Sequence, residues 1–579
     1  MRHSVGGRLP ASGRVPGGEV RLLRRTLVAA GAFALLAACT PAPRLVETPV
    51  SSPQDTPVDT GEVVVGVDSI AGGYNPHNIA DQSAITTALN TLLLPSVFRP
   101  GPDGALRLDR TLMTSAQVTK AKPYTVSYQI RADASWSDAA PVAAEDFVYL
   151  HEQLTSQPGV LDAAGYRLIT DINARDAGKV VEVVFGKPYP GWRTLFSGLL
   201  PAHLLKDAPG GWAGALQNNF PATAGPFAAK TLDNDRGEAV LERNDRYWGE
   251  PATLDRIILR RAEQDGLADA LDAGHDQLAL ARTDSVGANL LAGLAPTITT
   301  STVPRPSVTT VLLRPEQQLA DLPVRQAVIS LIDRAQLITI GTGNGPSATL
   351  RADAQVLAPT ATGYAPTVPT TPQTSTPARF DPALAQTLLT GAGYVRTSAG
   401  WTRDGRPLKL VIGASAQRPV DERIARDVQR QLAAGGIDAE VVTPAGAELL
   451  PRLYSTSGVD VIDVAVIARP TSGDPATMLA TDYGCVPDDA NPGTFVPANP
   501  TGYCDPGLQP TLDAALTGSL SVADALVSVE PALWRAAVSI PLYQEADTLA
   551  VRTDVTGVAD GAGFAGPFAG AERWQRTAG

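Results

Sequence analysis

Tyr124, Val126, Tyr128 and Ile130 alternate with polar residues, the spacing of a strand with one buried face. A turn at Asp138–Pro141 follows, and then a helical run with Phe147, Leu150 and Leu154 on one face. Further on, Asp321 stands ahead of Pro323 and of apolar Val324, Ala327, Val328, Leu331, Ile332 and Ala335, which predicts one regular amphipathic helix. Asp381-Pro382 opens another helix, closed by Gly391 and Gly393. The clearest unit is Leu408, Leu410 and Ile412 in alternation, a helix over about Val420–Ala434, Gly435-Gly436, and then Ile437, Ala439 and Val441 in alternation. Strand, helix and strand at that spacing predict a βαβ unit with parallel strands. Ala239–Leu241 and Ile257–Leu259 instead flank a polar turn and predict antiparallel pairing. Mixed α/β lobes follow, with Pro359–Pro377 as a Pro/Thr-rich surface excursion.

The 579 residues suffice for more than one lobe, and 44% of them are hydrophobic. The amino-terminal end follows a different pattern. Arg21, Arg24 and Arg25 precede the apolar run Leu27–Ala38, far shorter than the roughly 20 residues a bilayer-spanning helix needs. The run ends in Leu36-Ala37-Ala38-Cys39, the small-residue pattern of a lipobox, so residues 1–38 read as a signal peptide and Cys39 as the lipidated residue. The Arg24-Arg25 pair leaves a twin-arginine export route open beside the general one. Residues 39–60, rich in Pro, Thr and Ser, read as a tether, and no other segment is long and apolar enough to span. The expected location is extracytoplasmic, lipid-anchored to the outer face of the cell membrane. Cys485 and Cys504 remain in that oxidising compartment and are expected to pair.

The formal charge of −12 becomes −17 once a signal peptide with six arginines and one glutamate is removed. Such a surface repels nucleic acid. The histidines outside the signal peptide, His77, His151, His203 and His275, are too scattered for a multi-histidine zinc site. His151-Glu152 lacks the second histidine of a metalloprotease helix, and the chain has neither a Gly-x-Ser-x-Gly elbow nor a phosphate loop. Gly341, Gly343 and Gly345 follow a helix rather than a strand and read as a loop. The reading is a binding protein without catalytic residues, metal or cofactor, acting as a monomer.

Several blocks together resemble the extracytoplasmic binding proteins for oligopeptides, dipeptides and nickel that serve ABC importers. They are Tyr124–Arg131, Trp136-Ser137-Asp138, Pro141-Val142, Ala144–Phe147, Ala224-Gly225-Pro226-Phe227, Glu242–Gly249, Val324–Ala327 and Ile332-Asp333-Arg334. The resemblance implies the two-lobed type II periplasmic-binding-protein fold with an extra subdomain and a ligand cleft between lobes. On it, residues 61–97, 221–305 and 540–579 are expected to form lobe I, 98–220 the extra subdomain and 306–539 lobe II, with hinges near Pro304 and Ser539. Gly66-Val67-Asp68, Tyr74–His77, Leu94–Pro100 and Gln157–Val160 are similar to a narrower branch of envelope lipoproteins in that family. That likeness implies a phosphatidylinositol mannoside-like glycolipid as ligand and a role in regulating lipomannan and lipoarabinomannan assembly, with an envelope glycosyltransferase as a partner.

The alternative within the family is an oligopeptide receptor for an ABC permease. Where peptide-binding relatives carry a carboxylate for the peptide amine, this chain reads Ala468–Pro475, with Arg469 and Thr471 near the expected place. Arg469 is then either a phosphate contact or a solvated loop charge. The candidate ligand-binding residues are Tyr74, Asn75 and His77 from an early loop, with Arg469, Thr471 and Asp474 from the opposite lobe.

Overall fold

The computed structural model describes residues 60–577 apart from 71–72, 102, 370–378, 399, 455–460, 472, 486–498, 500 and 562–565. The expected signal peptide, Cys39 and nearly all of the tether lie outside the described residues. Among the described residues, no helix is long and apolar enough to cross a membrane.

One ten-stranded sheet runs through the body. Two of its strands, Ile298–Leu313 and Ser539–Arg552, are far longer than their neighbours and pair antiparallel with each other. The first residues of Ile298–Leu313 lie opposite the last residues of the return strand, which also pairs with Leu278–Ala281. That short strand is parallel to Glu62–Val67, which is in turn parallel to Arg256–Arg261. At its other end Ile298–Leu313 pairs with Val464–Pro470, which is parallel to its next neighbour Lys409–Ala414, itself parallel to the edge strand Asp438–Val442.

Two apolar cores sit on the two ends of this sheet. One contains Val63, Leu89, Leu241, Ile257 and Leu549, and the other contains Val311, Leu410, Ile424, Ile540, Leu542 and Tyr543. The return strand therefore leaves the second core after Tyr543. A separate antiparallel sheet of Met113–Ala121, Tyr124–Ile130, Val180–Phe185 and Ile169–Arg175 packs through Val126, Tyr128 and Val183 into the first core.

The βαβ unit forms as the periodicity predicts. Lys409–Ala414 and Asp438–Val442 pair in parallel around the helix Pro419–Gly435, whose end turns through Gly436 at φ 82°. That left-handed backbone favours glycine, and a Cβ there would strike the Arg396 guanidinium. Leu241 and Ile257 pair antiparallel, also as predicted. Asp381 caps Pro382–Gly391, accepting the Leu384 amide at 2.9 Å.

The helix predicted from Val324 to Ala335 is instead two helices, Leu322–Ser330 and Arg334–Thr342. Asp333 breaks it by accepting the amides of Ala335 and Gln336, which starts a new helix. Because Arg325 and Gln326 are buried too, the apolar stripe that suggested one continuous surface helix is not a solvent boundary.

The family-like blocks are built into this scaffold. Trp136 is fully buried and donates its indole N–H to Asp146, which also accepts the amides of Ala143 and Ala202. Arg325 and Arg334 hold backbone carbonyls of Ala536 and Pro541. Cys485 and Cys504 form a disulfide with Cα atoms 4.7 Å apart.

Candidate ligand-binding cleft

The two long strands lose register between Pro304 and Val308, opposite Gln544–Ala546. The prolines at 304 and 306 cannot donate to the ladder, so Pro304-Arg305-Pro306-Ser307 bulges out of it. On the return strand Glu545 and Asp547 point to one side, two residues apart. The bulge delivers Arg305 to both.

Arg305 Nε lies 2.7 Å from Asp547 Oδ2, and its Nη2 lies 2.5 Å from Asp547 Oδ1. Glu545 is the centre of the cluster. Arg282 Nη1 approaches it at 2.9 Å and Arg305 Nη1 at 3.8 Å, while Arg418 pairs with it from the far core's side. Ser307 and Thr309 donate their hydroxyls to it at 3.0 and 3.2 Å. Asp68, just after the first strand, lies 3.8 Å from Arg305 and accepts the Arg282 amide, and Arg418 also pairs with Asp421 at 2.6 Å. Burial alone would raise the Glu545 carboxyl, but Arg418, Arg282 and Arg305 hold it well below the usual carboxylate range. Asp421 and Asp547 are pushed up by the same burial, only partly offset by Arg418 and Arg305.

A cavity opens beside this cluster. Its polar side is Arg305, Ser307, Glu545 and Asp547 together with Gln82, Ser83 and Thr87, and its apolar side includes Pro304, Pro306, Pro567 and Phe568. Ser83 caps the helix Ala84–Leu93, taking the Thr86 amide at 3.0 Å. A second cavity is lined by Ile79 and Val160–Asp162 on one side and by Arg469–Thr471, Met478, Thr481 and Asp482 on the other. An apolar seam runs beside it, where Ile79 and Leu161 pack with Leu449, Leu450 and Leu453.

The residues expected to hold a ligand fall into two groups. Arg469 and Thr471 line the second cavity, but Arg469 is already engaged. Its Nη1 bonds Asp482 at 2.8 Å, and its Nη2 bonds the carbonyls of Gln355 and Val356 at 3.0 and 3.2 Å. It is neither a solvated loop charge nor a free phosphate contact. Burial raises the Asp482 carboxyl, and Arg469 opposes the shift. Thr471 is half-buried and donates its amide to the Pro306 carbonyl at 2.8 Å. Asp474 lines neither cavity. It caps the helix Pro475–Tyr483, accepting from Thr477.

Tyr74, Asn75 and His77 also line neither cavity. The Tyr74 hydroxyl donates to Asn234, Asn75 is wholly buried and accepts the His77 amide at 3.1 Å, and His77 Nε2 lies 2.9 Å from the Gly198 carbonyl. Burial pushes the His77 imidazole down to about 4, against the Gly198 hydrogen bond, so it is neutral at pH 7. Through these bonds the three side chains anchor an early loop, although the Asn75 Nδ2 is buried without a hydrogen-bond partner among the described residues.

The residues missed from sequence are Arg282, Arg305, Arg418, Glu545, Asp547 and Phe568. A readable signal existed for some of them. Ser539–Arg552 is otherwise apolar or neutral up to Ala550, so two carboxylates at alternate positions in it stand out, as does an arginine between two prolines.

A model of "Bacterial extracellular solute-binding proteins, family 5 Middle" matches residues 111–488. The chain belongs to the family 5 bacterial extracellular solute-binding proteins. As a family 5 protein it is 34% identical to "Probable monoacyl phosphatidylinositol tetramannoside-binding protein LpqW" of Mycobacterium tuberculosis, over 96% of this chain and 99% of that one. It is 26% identical to the oligopeptide-binding protein OppA of Mycobacterium bovis, over 87% of this chain and 84% of OppA. Among solved structures, the oligopeptide-binding protein AppA of Bacillus subtilis in complex with a nonapeptide superposes with a TM-score of 0.71 at 16% identity, over 90% of this chain and all of that one. The family 5 fold is thus the two-lobed type II binding-protein fold, and the long strands Ile298–Leu313 and Ser539–Arg552 pass between its two cores.

Proposed function

We propose that this family 5 protein is a lipid-anchored extracytoplasmic receptor that binds a phosphatidylinositol mannoside-like glycolipid between its lobes and regulates lipomannan and lipoarabinomannan assembly. One observation carries the ligand assignment: the 34% identity to LpqW extends over 96% of this chain and 99% of the relative. The cavity beside Arg305, Glu545 and Asp547 is the proposed head-group site, and lobe closure about the crossing strands is the proposed binding motion. No catalytic step is assigned, and the protein acts as a binding component. Lipidation of Cys39 would hold it at the outer face of the membrane, where an envelope glycosyltransferase is the proposed partner.

The division into lobe I (61–97, 221–305, 540–579), an extra subdomain (98–220) and lobe II (306–539) remains part of this proposal. Its support is the pair of apolar cores bridged by the long strands, although Ile540, Leu542 and Tyr543 pack in the second core.

A second reading, an oligopeptide receptor delivering to an ABC permease, is favoured by the 26% identity to OppA over 87% of the chain. Mass spectrometry of ligand copurified from the envelope, with titration calorimetry of a phosphatidylinositol mannoside and of a tri- to pentapeptide pool, separates the two. Peptide in the purified protein, with no glycolipid binding, would discard the first reading.

A further inference from the structure

The crossing strands are not the only tie between the lobes. From the second lobe, the helix Gly446–Tyr454 packs Leu449, Leu450 and Leu453 with Ile79 and Leu161 of the first. Two more second-lobe residues, Ala480 and Leu516, pack against the first apolar core. Residues 79–191 and 446–518 share no strand pairing among the described residues, so helices and loops alone make this contact and it can part without breaking the sheet.

Two hydrogen bonds cross the same interface. The Tyr189 hydroxyl lies 2.6 Å from Thr477 Oγ1, and both residues are wholly buried. Because Thr477 gives its own hydroxyl proton to Asp474, Tyr189 is the donor. The Ala164 amide sits in the first turn of the helix Ala163–Arg167, where no carbonyl of that helix can reach it, and Thr481 Oγ1 accepts it at 3.3 Å. The backbones come too close here for side chains: a Cβ on Gly191 would strike the Asp474 carboxylate, and one on Gly518 the Pro190 ring.

We infer that this interface is a latch, which holds the lobes closed before any ligand arrives and must release for a ligand to enter. Its apolar seam leaves water and its two hydrogen bonds are completed by the protein's own groups, so closure needs no third component. The second cavity lies inside the latch, since Leu161 and Asp162 line it from one lobe and Thr481 and Asp482 from the other. The crossing strands set how the lobes move, and the latch sets where they rest.

Small-angle X-ray scattering of the full mature chain, freed of copurified ligand and checked by mass spectrometry, tests the latch. The native protein is expected to scatter as the closed arrangement does. Leu161→Glu places a charge in the seam only while the lobes are together, and should raise the radius of gyration with circular dichroism unchanged. Tyr189→Phe removes one crossing hydrogen bond and leaves the Ala164–Thr481 bond in place. It should nevertheless speed hydrogen exchange at the Ala164 amide about two- to tenfold, because that amide is freed only when the lobes part. This second variant decides the matter should Leu161→Glu not fold. Native scattering that requires separated lobes would overturn the latch. So would a folded Leu161→Glu protein with native scattering, or native exchange at Ala164 in Tyr189→Phe. Neither result turns on whether the ligand is a glycolipid or a peptide, so the functional reading is tested separately.

Discussion

Arg282 meets Glu545 at 2.9 Å, linking the end of the short strand Leu278–Ala281 to the return strand, while Arg418 from the opposite core reaches the same carboxylate. Glu545 is therefore the charge on which both halves of the molecule converge. Replacing it with Ala leaves buried guanidiniums without their partner, and the expected loss of stability is about 3–5 kcal/mol. Thermal denaturation at pH 7 reads it, and an unchanged midpoint would show that the cluster relaxes freely.

The same residue sets a pH dependence. Its folded carboxyl is held below the ordinary value of 4.5, so its contribution is fully present above that value and is lost as pH falls through the acid range toward the folded one. Denaturant melts between pH 6 and pH 3 should fall more steeply for the native protein than for Glu545→Gln. Parallel curves would contradict the assignment.

His77 acts in a different window. Its folded value of about 4, against 6.5 unfolded, means the unfolded chain binds more protons between those values, so stability falls with pH from 6.5 to 4 by about 3 kcal/mol. Asp81 and Asp146, both pushed up to about 6 by burial, have the opposite sign, so the native profile shows only the net effect. The difference between native and His77→Gln urea midpoints, measured across that window, isolates the histidine and should shrink as pH falls.

The buried pair Arg469–Asp482 holds the Gln355–Val356 backbone and contributes no free charge to the cleft. Arg469→Ala is expected to cost about 3–5 kcal/mol by stranding Asp482, and the double change to Ala should cost less than the sum of the single ones. A double-mutant cycle by chemical denaturation tests this, and additivity would mean that the two do not interact.

Cys39→Ser is expected to move the protein from the detergent phase to the aqueous phase in a partition assay. A native protein that already stays aqueous and carries no acyl mass would remove the anchor from the proposal.

Local order was legible in the chain because it repeats over short distances. The alternation at Leu408–Ile412 and Ile437–Val441, with Gly435-Gly436 between helix and strand, determined a parallel βαβ unit before any coordinates. Asp381 and Pro382 determined where a helix begins. The break at Leu331–Asp333 was not legible in the periodicity, since an apolar stripe continues across it, and it is the Asp333 side chain, capping the second helix, that separates the two segments. The cleft depended wholly on tertiary structure. Asp68, Arg282, Arg305, Arg418, Glu545 and Asp547 come from five separate stretches of chain, and their pairing exists only because two long strands cross between the cores. For the same reason Tyr74, Asn75, His77 and Asp474 looked like ligand contacts in sequence: a polar side chain on a loop suits a ligand or its own fold equally, and the nearest hydrogen-bonding partner decides which.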